Sequence, residues 1–134
     1  HGQTDKVFIC GQYYPNKGLL KFTLVDLGIT IKNNIFYCMG IKFSGPESIS
    51  WATSDANTTR RGNTPGGLGL KILRKFLKMN GGSLQIVSND GFWEDSPLGE
   101  KKALLPKQFL GTIVTVAVNT NDNKQYKTKD EQRN

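Results

Sequence analysis

The chain has 134 residues, of which 37% are hydrophobic, so it is long enough to bury the core of one domain. It contains no run of about 18 apolar residues, which excludes a membrane-spanning helix, and its two cysteines are too few for a disulfide framework. These features favour a cytoplasmic protein. The formal net charge of +7 suits a polyanionic partner, but much of it lies on one predicted helix face and near the C-terminus. A solvated surface explains that distribution better than a nucleic-acid patch does.

The first elements predict a β-hairpin. Residues 7–10 form an apolar run typical of a strand, in which we expect Cys10 to be a small buried core residue. Residues 15–18 form a Pro/Gly turn, and residues 19–26 alternate apolar and polar side chains as a second strand. This second strand ends in a carboxylate, Asp26.

The middle of the chain predicts two short helices and a loop. Residues 31–39 form the first helix, and Pro46 begins the second, because proline is tolerated in a first turn. Residues 54–64 are small, polar and aperiodic, and they directly precede a glycine cluster. A loop of this length inside one domain is typical of a functional lid.

A regular amphipathic helix is predicted over residues 67–79, with Gly81 as its C-cap. Basic residues line one side of this helix. The apolar residues repeat at helical spacing and are expected to face the core; they are Leu68, Ile72, Leu73, Phe76 and Leu77.

The rest of the chain predicts strands and a polar tail. The pattern indicates a strand at 83–88, a turn at 89–91, a loop at 94–106, a strand at 111–118 and a disordered tail at 119–134. Hairpins together with a one-sided helix predict an α+β two-layer sandwich, in which helices cover one face of a mixed, mostly antiparallel sheet.

The residues that carry chemistry stand in a fixed order: a strand-end carboxylate, a polar loop, a glycine-rich helix start and a final Gly-Thr strand. The segments are Asp26-Leu27-Gly28-Ile29-Thr30, Pro65-Gly66-Gly67-Leu68-Gly69-Leu70, Asn80-Gly81-Gly82-Ser83-Leu84 with Ser88, and Gly111-Thr112. This order resembles the Bergerat-fold (GHKL) ATP-binding domain of sensor histidine kinases, gyrase-type topoisomerases, ninety-kilodalton chaperones and MutL-type repair proteins. The likeness covers residues 1–118 and is strongest to the bacterial histidine-kinase-like domains.

The resemblance implies a site for ATP or ADP. Asp26 would accept a hydrogen bond from the adenine amine, Gly28 would leave room for the base, and Thr112 would support the carboxylate or a bridging water. Thr30 belongs to the same adenine motif. The phosphates would meet the positive end of the helix at Gly66, Gly67, Leu68, Gly69 and Leu70.

Two departures from the family pattern limit this expectation. Thr30 replaces the second glycine of the adenine motif, and a β-branched residue there would restrict the backbone. The family also has an earlier helix whose Glu and Asn serve as general base and magnesium ligand, and residue 1 is expected to follow that helix. Mg²⁺ would then require an upstream segment, and no residue here is assigned to catalysis. The sheet would be partly uncovered and would need a protein partner or a second copy.

Three functions remain open at this point. The first is an ATP- or ADP-binding module of a kinase or ATPase. The second is a protein-interaction module that keeps the scaffold and binds nucleotide poorly. The third is a basic nucleic-acid-binding domain, which only the charge supports. A strand-end Asp is usually a turn residue, and a strand Thr is ordinary, so it is the order of the motifs that favours nucleotide binding.

Overall fold

The computed structural model describes residues 6–54 and 68–127. Within these two ranges, four strands form one antiparallel sheet in the order β1-β2-β4-β3, and three α-helices lie against one of its faces. The predicted α+β two-layer sandwich is confirmed. The elements are β1 (Val7–Tyr14), β2 (Leu19–Asp26), α1 (Ile31–Met39), α2 (Gly45–Thr53), α3 (Leu68–Asn80), β3 (Ser83–Ser96) and β4 (Gly99–Asn119).

β1 and β2 form the predicted hairpin along their full length, from Val7 opposite Asp26 to Tyr14 opposite Leu19. β1 extends beyond the predicted residues 7–10 and occupies an edge of the sheet. Cys10 is exposed there, so the expectation that it is buried is wrong. Cys10 pairs with Thr23, which pairs with Thr115, so its side chain lies on the face of the sheet opposite the helices and the core.

The two short helices begin with side-chain caps. The Thr30 hydroxyl accepts the Asn33 amide at the start of α1, and Ser44 and Glu47 form a reciprocal capping box at the start of α2. Pro46 lies in the first turn of α2, as predicted. These local signals explain where α1 and α2 begin; α1 has the predicted bounds, and α2 ends at Thr53 as predicted.

Helix α3 lies one residue further along the chain than predicted, and Gly81 follows it with φ of 77°. Leu77 is buried, and Leu73 and Phe76 pack partly against the core. Ile72 is 56% exposed, so its predicted core position is wrong. The face of α3 that contacts the core carries Leu73, Phe76 and Leu77, and Ile72 lies outside this face.

The predicted loop at 94–106 is also wrong, because β3 and β4 continue as a long hairpin around a two-residue turn at Pro97 and Leu98. We call residues 91–110 the hairpin arm. The arm follows register shifts at Asn89 and approaches α3, where the Asp95 carboxylate lies 2.6 Å from the Arg74 guanidinium.

The core lies between the helices and the β3–β4 half of the sheet. Its fully buried large side chains include Trp93 of the arm, Leu84 and Ile86 of β3, and Ile31, Ile35 and Ile49 of the first two helices. Residues 120–127 run back along α3, where the Tyr126 ring meets Phe76 at 5.0 Å between centroids. Residues 128–134 of the predicted tail lie outside the described residues.

Candidate functional site

Three polar residues form a row across the end of the sheet where β2 stops. Asp26 of β2 pairs with Thr112 of β4, and Thr112 pairs on its other side with Ser88 of β3. Val114, two positions after Thr112 on β4, and Ile86, two positions before Ser88 on β3, belong to the core face. Because side chains alternate along a strand, the polar row also faces the helix side of the sheet. We call Asp26, Thr112 and Ser88 the polar row.

Hydrogen bonds fix the two hydroxyl groups of the polar row. Ser88 Oγ accepts the Ile31 amide at 3.0 Å, lies 3.3 Å from the Gly111 carbonyl oxygen and 2.9 Å from Thr112 Oγ1. A hydroxyl has one proton, so all three contacts are satisfied when Ser88 donates to Gly111 and Thr112 donates to Ser88. Thr112 Oγ1 then offers only acceptor capacity to a further group.

Within the described residues, one of the two Asp26 carboxylate oxygens accepts a hydrogen bond. Its Oδ1 accepts the Gly28 amide at 3.0 Å, a local bond that orders the turn after β2. No hydrogen bond to Oδ2 occurs within the described residues. A Cβ at Gly111 would collide with the Asp26 carbonyl oxygen, so this glycine allows the close approach of β4 to the end of β2.

Thr30 has a structural role at this end of the sheet. It is 3% exposed and caps α1 from an extended backbone with φ of −73°. That conformation is available to any residue, so no glycine is needed there. Thr30 stands where the adenine motif has a glycine, and its hydroxyl fixes the start of α1 beside Ser88.

The predicted phosphate-binding residues are only partly described. Gly66 and Gly67 lie outside the described residues, as does most of the predicted lid. Leu68 begins α3, and Gly69 is exposed in its first turn with no described atom near a would-be Cβ. Leu70 packs partly against the core, so its side chain anchors the helix.

The C-terminal end of α3 lies at the end of β4 away from the polar row. The helix ends at Asn80, whose side chain bonds to Asn119 at the opposite end of β4. A helix of 13 residues extends about 20 Å, which is comparable to the distance back along β3 to Ser88. α3 is therefore long enough to reach from Asn119 to the level of the polar row.

A basic cleft opens between the end of α2 and the exposed side of α3. Its volume is about 610 Å³. The Arg74 guanidinium is held by Asp95 at 2.6 Å, which also lies 3.5 Å from the Lys78 amine. The residues that line the cleft are Thr53, Ser54, Lys71, Ile72, Arg74, Lys75 and Lys78.

Sequence reasoning gave Ser88 no role of its own, although it lies in the matched motif. The sequence pattern that could have identified Ser88 is the alternation of Leu84 and Ile86, which puts Ser88 next on the buried face.

Among residues 6–54 and 68–127, no group of three His, Cys, Asp or Glu side chains is placed to hold a metal ion. None of the helices in these ranges is both long and apolar enough to cross a membrane.

No protein-family model matches the chain, and no curated protein matches it significantly. The nucleotide-site interpretation therefore depends on the motifs and on the geometry of the polar row.

Proposed function

We propose that this chain binds ATP or ADP, with adenine held at the polar row and the phosphates at the start of α3. The observation that carries the proposal is Asp26, whose carboxylate is positioned by Gly28 and has Oδ2 without a bond in the described residues. A carboxylate oxygen is a strong acceptor for the exocyclic amine of adenine. Thr112 Oγ1 lies beside it as a second acceptor, directly or through a water.

The phosphate half of the proposal relies on the helix start. The first amides of a helix have no partner within the helix and favour an anion. Gly69 leaves the first turn of α3 without a side chain, which permits close approach of a phosphate. The neighbouring lysines of the basic cleft add favourable positive potential.

The proposal is limited to binding. The described residues contain no carboxylate cluster for a metal, and we assign no general base to the chain. Mg²⁺ would need a ligand from elsewhere, and hydrolysis or phosphoryl transfer would need the same.

A calorimetric titration of the full chain with ATP, ADP and GTP tests the proposal. Guanine has a carbonyl oxygen where adenine has its amine, so it would set an acceptor against the Asp26 carboxylate. We expect ATP and ADP to bind and GTP to bind at least about tenfold more weakly. Equal affinities for ATP and GTP would contradict the adenine assignment, and no binding at about 1 mM ATP would contradict nucleotide binding altogether.

The second candidate function is a protein-interaction module that binds nucleotide poorly. One observation favours it: apolar side chains of β1, including Val7 and Ile9, are 55% and 69% exposed on the helix side of the sheet. Monomeric soluble proteins rarely expose a contiguous apolar patch without a partner. A chain that fails the ATP titration and binds a protein through this face would establish the second function.

A further inference from the structure

The basic cleft contains two lysines that no carboxylate neutralises within the described residues. Of its four basic side chains, Arg74 is bound by Asp95, and the Lys78 amine lies 3.5 Å from the same carboxylate. Lys71 and Lys75 form no ion pair with a described residue, and none of the described residues that line the cleft is acidic. The cleft therefore has positive charge to offer to an anionic group.

An apolar side chain accompanies these two lysines. Ile72 also lines the cleft and is 56% exposed. Residues three and four apart on a helix are neighbours, so Lys75 lies next to both Ile72 and Lys71 on the surface of α3. An occupant that matches this surface carries anionic groups beside an apolar side chain.

The wall that α2 contributes to the cleft offers acceptors rather than donors. The Thr53 hydroxyl donates to the Ile49 carbonyl oxygen at 3.0 Å, and the Ser54 hydroxyl donates to the Trp51 carbonyl oxygen at 2.7 Å. The Ser54 amide donates to the same Trp51 carbonyl oxygen. Each hydroxyl has one proton, so a phosphate, whose oxygens accept, finds no hydroxyl donor in Thr53 or Ser54. A peptide N–H, in contrast, donates to such acceptors.

We propose that the basic cleft docks an acidic segment of a partner protein, with carboxylates at Lys71 and Lys75 and an aliphatic side chain against Ile72. Lys71 and Lys78 are seven residues apart, which is about 10 Å along the helix axis. An extended peptide rises about 3.3 Å per residue, so a few peptide residues cover the basic side of the cleft. The cleft volume of about 610 Å³ is in the range of sites that hold compact ligands.

An acidic peptide fits the cleft better than other anions do. Single-stranded nucleic acid is held by phosphate contacts together with base stacking on aromatic side chains, and none of the described lining residues is aromatic. A small anion such as phosphate needs donors that converge on one point, but the lysines are spread along the helix and Arg74 is held by Asp95. This inference is independent of the nucleotide proposal, which uses the lysines only as a source of positive potential.

The exposure of the two lysines sets the expected affinity. Lys75 is exposed and Lys71 is half-buried, and ion pairs with such lysines are weak and are screened by salt. We therefore expect a dissociation constant of about 10–100 µM for an acidic peptide at low ionic strength. The affinity should fall as the salt concentration rises.

The test is fluorescence anisotropy of a labelled peptide of about ten residues, in which glutamates flank leucines, titrated with the full chain in the absence of nucleotide. Lys71→Gln combined with Lys75→Gln removes the two lysine charges that have no ion pair. The matched control, Lys101→Gln combined with Lys107→Gln, removes the same charge from exposed positions of the hairpin arm outside the cleft. We expect the first pair to weaken peptide binding at least about tenfold and the control pair to change it less than about twofold. Circular dichroism verifies that the variants fold.

Two further measurements distinguish the occupants. Ile72→Ser leaves the charge of the cleft unchanged, and the lost apolar contact should weaken peptide binding by about three- to tenfold. An oligothymidylate of about ten nucleotides and inorganic phosphate, each at matched ionic strength, should displace the labelled peptide at least about tenfold less effectively than the unlabelled peptide does. No peptide binding at about 1 mM chain, equal effects of the two lysine pairs, unchanged binding by Ile72→Ser, or displacement by either phosphate compound as effective as that by the peptide would each overturn the proposal.

Discussion

Arg74 of α3 and Asp95 of the hairpin arm form a salt bridge with 2.6 Å between Nε and Oδ2. The same guanidinium donates to the Thr53 carbonyl oxygen at 3.3 Å and lies 5.0 Å from the centre of the Trp93 ring. One side chain thus joins the end of α2, the middle of α3 and the arm. Of these elements, α2 and α3 precede and follow residues 55–67 in the chain.

Removal of the Arg74 side chain is expected to destabilise the fold. Asp95 is only 9% exposed and would remain as a buried charge, with the largely exposed Lys78 amine 3.5 Å away. Loss of one partner of such a pair costs about 3 kcal/mol. We predict that Arg74→Ala lowers the free energy of unfolding in urea by about that amount.

The matched control for Arg74 is its neighbour Lys75, which is exposed and forms no ion pair within the described residues. Lys75→Ala should change the free energy of unfolding by less than about 0.5 kcal/mol. Similar losses in both variants would show that the arm is not held by the Arg74–Asp95 contact.

The Thr112 hydroxyl is expected to contribute to nucleotide affinity. Thr112→Val keeps the shape of a residue that is 2% exposed but removes the acceptor beside Asp26. We predict about tenfold weaker ADP binding by calorimetry. Thr115→Val is the control, because Thr115 lies on the same strand and bonds to Thr23 on the opposite face. Equal effects of the two substitutions on ADP affinity would exclude a specific role for Thr112.

Gly69 distinguishes a phosphate site from an ordinary helix start. No described atom lies near a Cβ built at Gly69, so Gly69→Ala should raise the free energy of unfolding by about 0.5–1 kcal/mol. If phosphate approaches this backbone, the same methyl group should weaken ADP binding by about tenfold. A more stable variant with unchanged ADP affinity would mean that the glycine serves only the helix.

The capping box of α2 predicts a pH dependence of stability. The Ser44 backbone amide donates to the Glu47 carboxylate and holds the pKa of Glu47 below its ordinary value. A carboxyl whose pKa is lowered by folding stabilises the protein above its unfolded pKa. This contribution is lost as the pH falls through the folded pKa. The melting temperatures of wild type and Glu47→Gln should therefore differ at pH 7 and converge near pH 3; a constant difference would contradict this.

Local signals predicted a large part of the fold. The Pro/Gly turn and the alternation of residues 19–26 predicted β2 with its observed bounds, and the helical spacing predicted α3 to within one residue. The buried face of α3 was harder to predict, because the rotation of the helix about its axis depends on the sheet beneath it. That is why Ile72 was expected in the core and is exposed.

The hairpin arm could not be predicted from local pattern. Residues 99–104 of β4 are exposed, so they have no reason to show the apolar alternation that reveals a half-buried strand. Their strand conformation comes from pairing with β3 across the turn at Pro97 and Leu98. The prediction that Cys10 is buried was wrong because the sequence reveals neither that β1 lies at an edge of the sheet nor that Cys10 faces away from the helices.

The sequence motifs named residues of the candidate site but did not predict the contacts between them. The motif order named Asp26, Gly28 and Thr112, and the register places Asp26 beside Thr112. The contacts of Ser88 with α1 and β4 depend on tertiary packing between segments that are far apart in sequence. Likewise, only the structure explains Thr30, which occupies a glycine position of the motif as a helix cap.

The most direct test of nucleotide binding is the ADP affinity of Asp26→Asn. The amide oxygen of Asn can still accept the Gly28 amide, so the turn and the free energy of unfolding should be preserved. Its NH₂ group, placed where Oδ2 was, would meet the adenine amine donor to donor.

Calorimetry with ADP should then show at least about tenfold weaker binding by Asp26→Asn. The control, Asp122→Asn, makes the same chemical change near Asn80 at the far end of the sheet and should retain wild-type affinity. Unchanged ADP affinity in a folded Asp26→Asn variant would contradict the proposed adenine site.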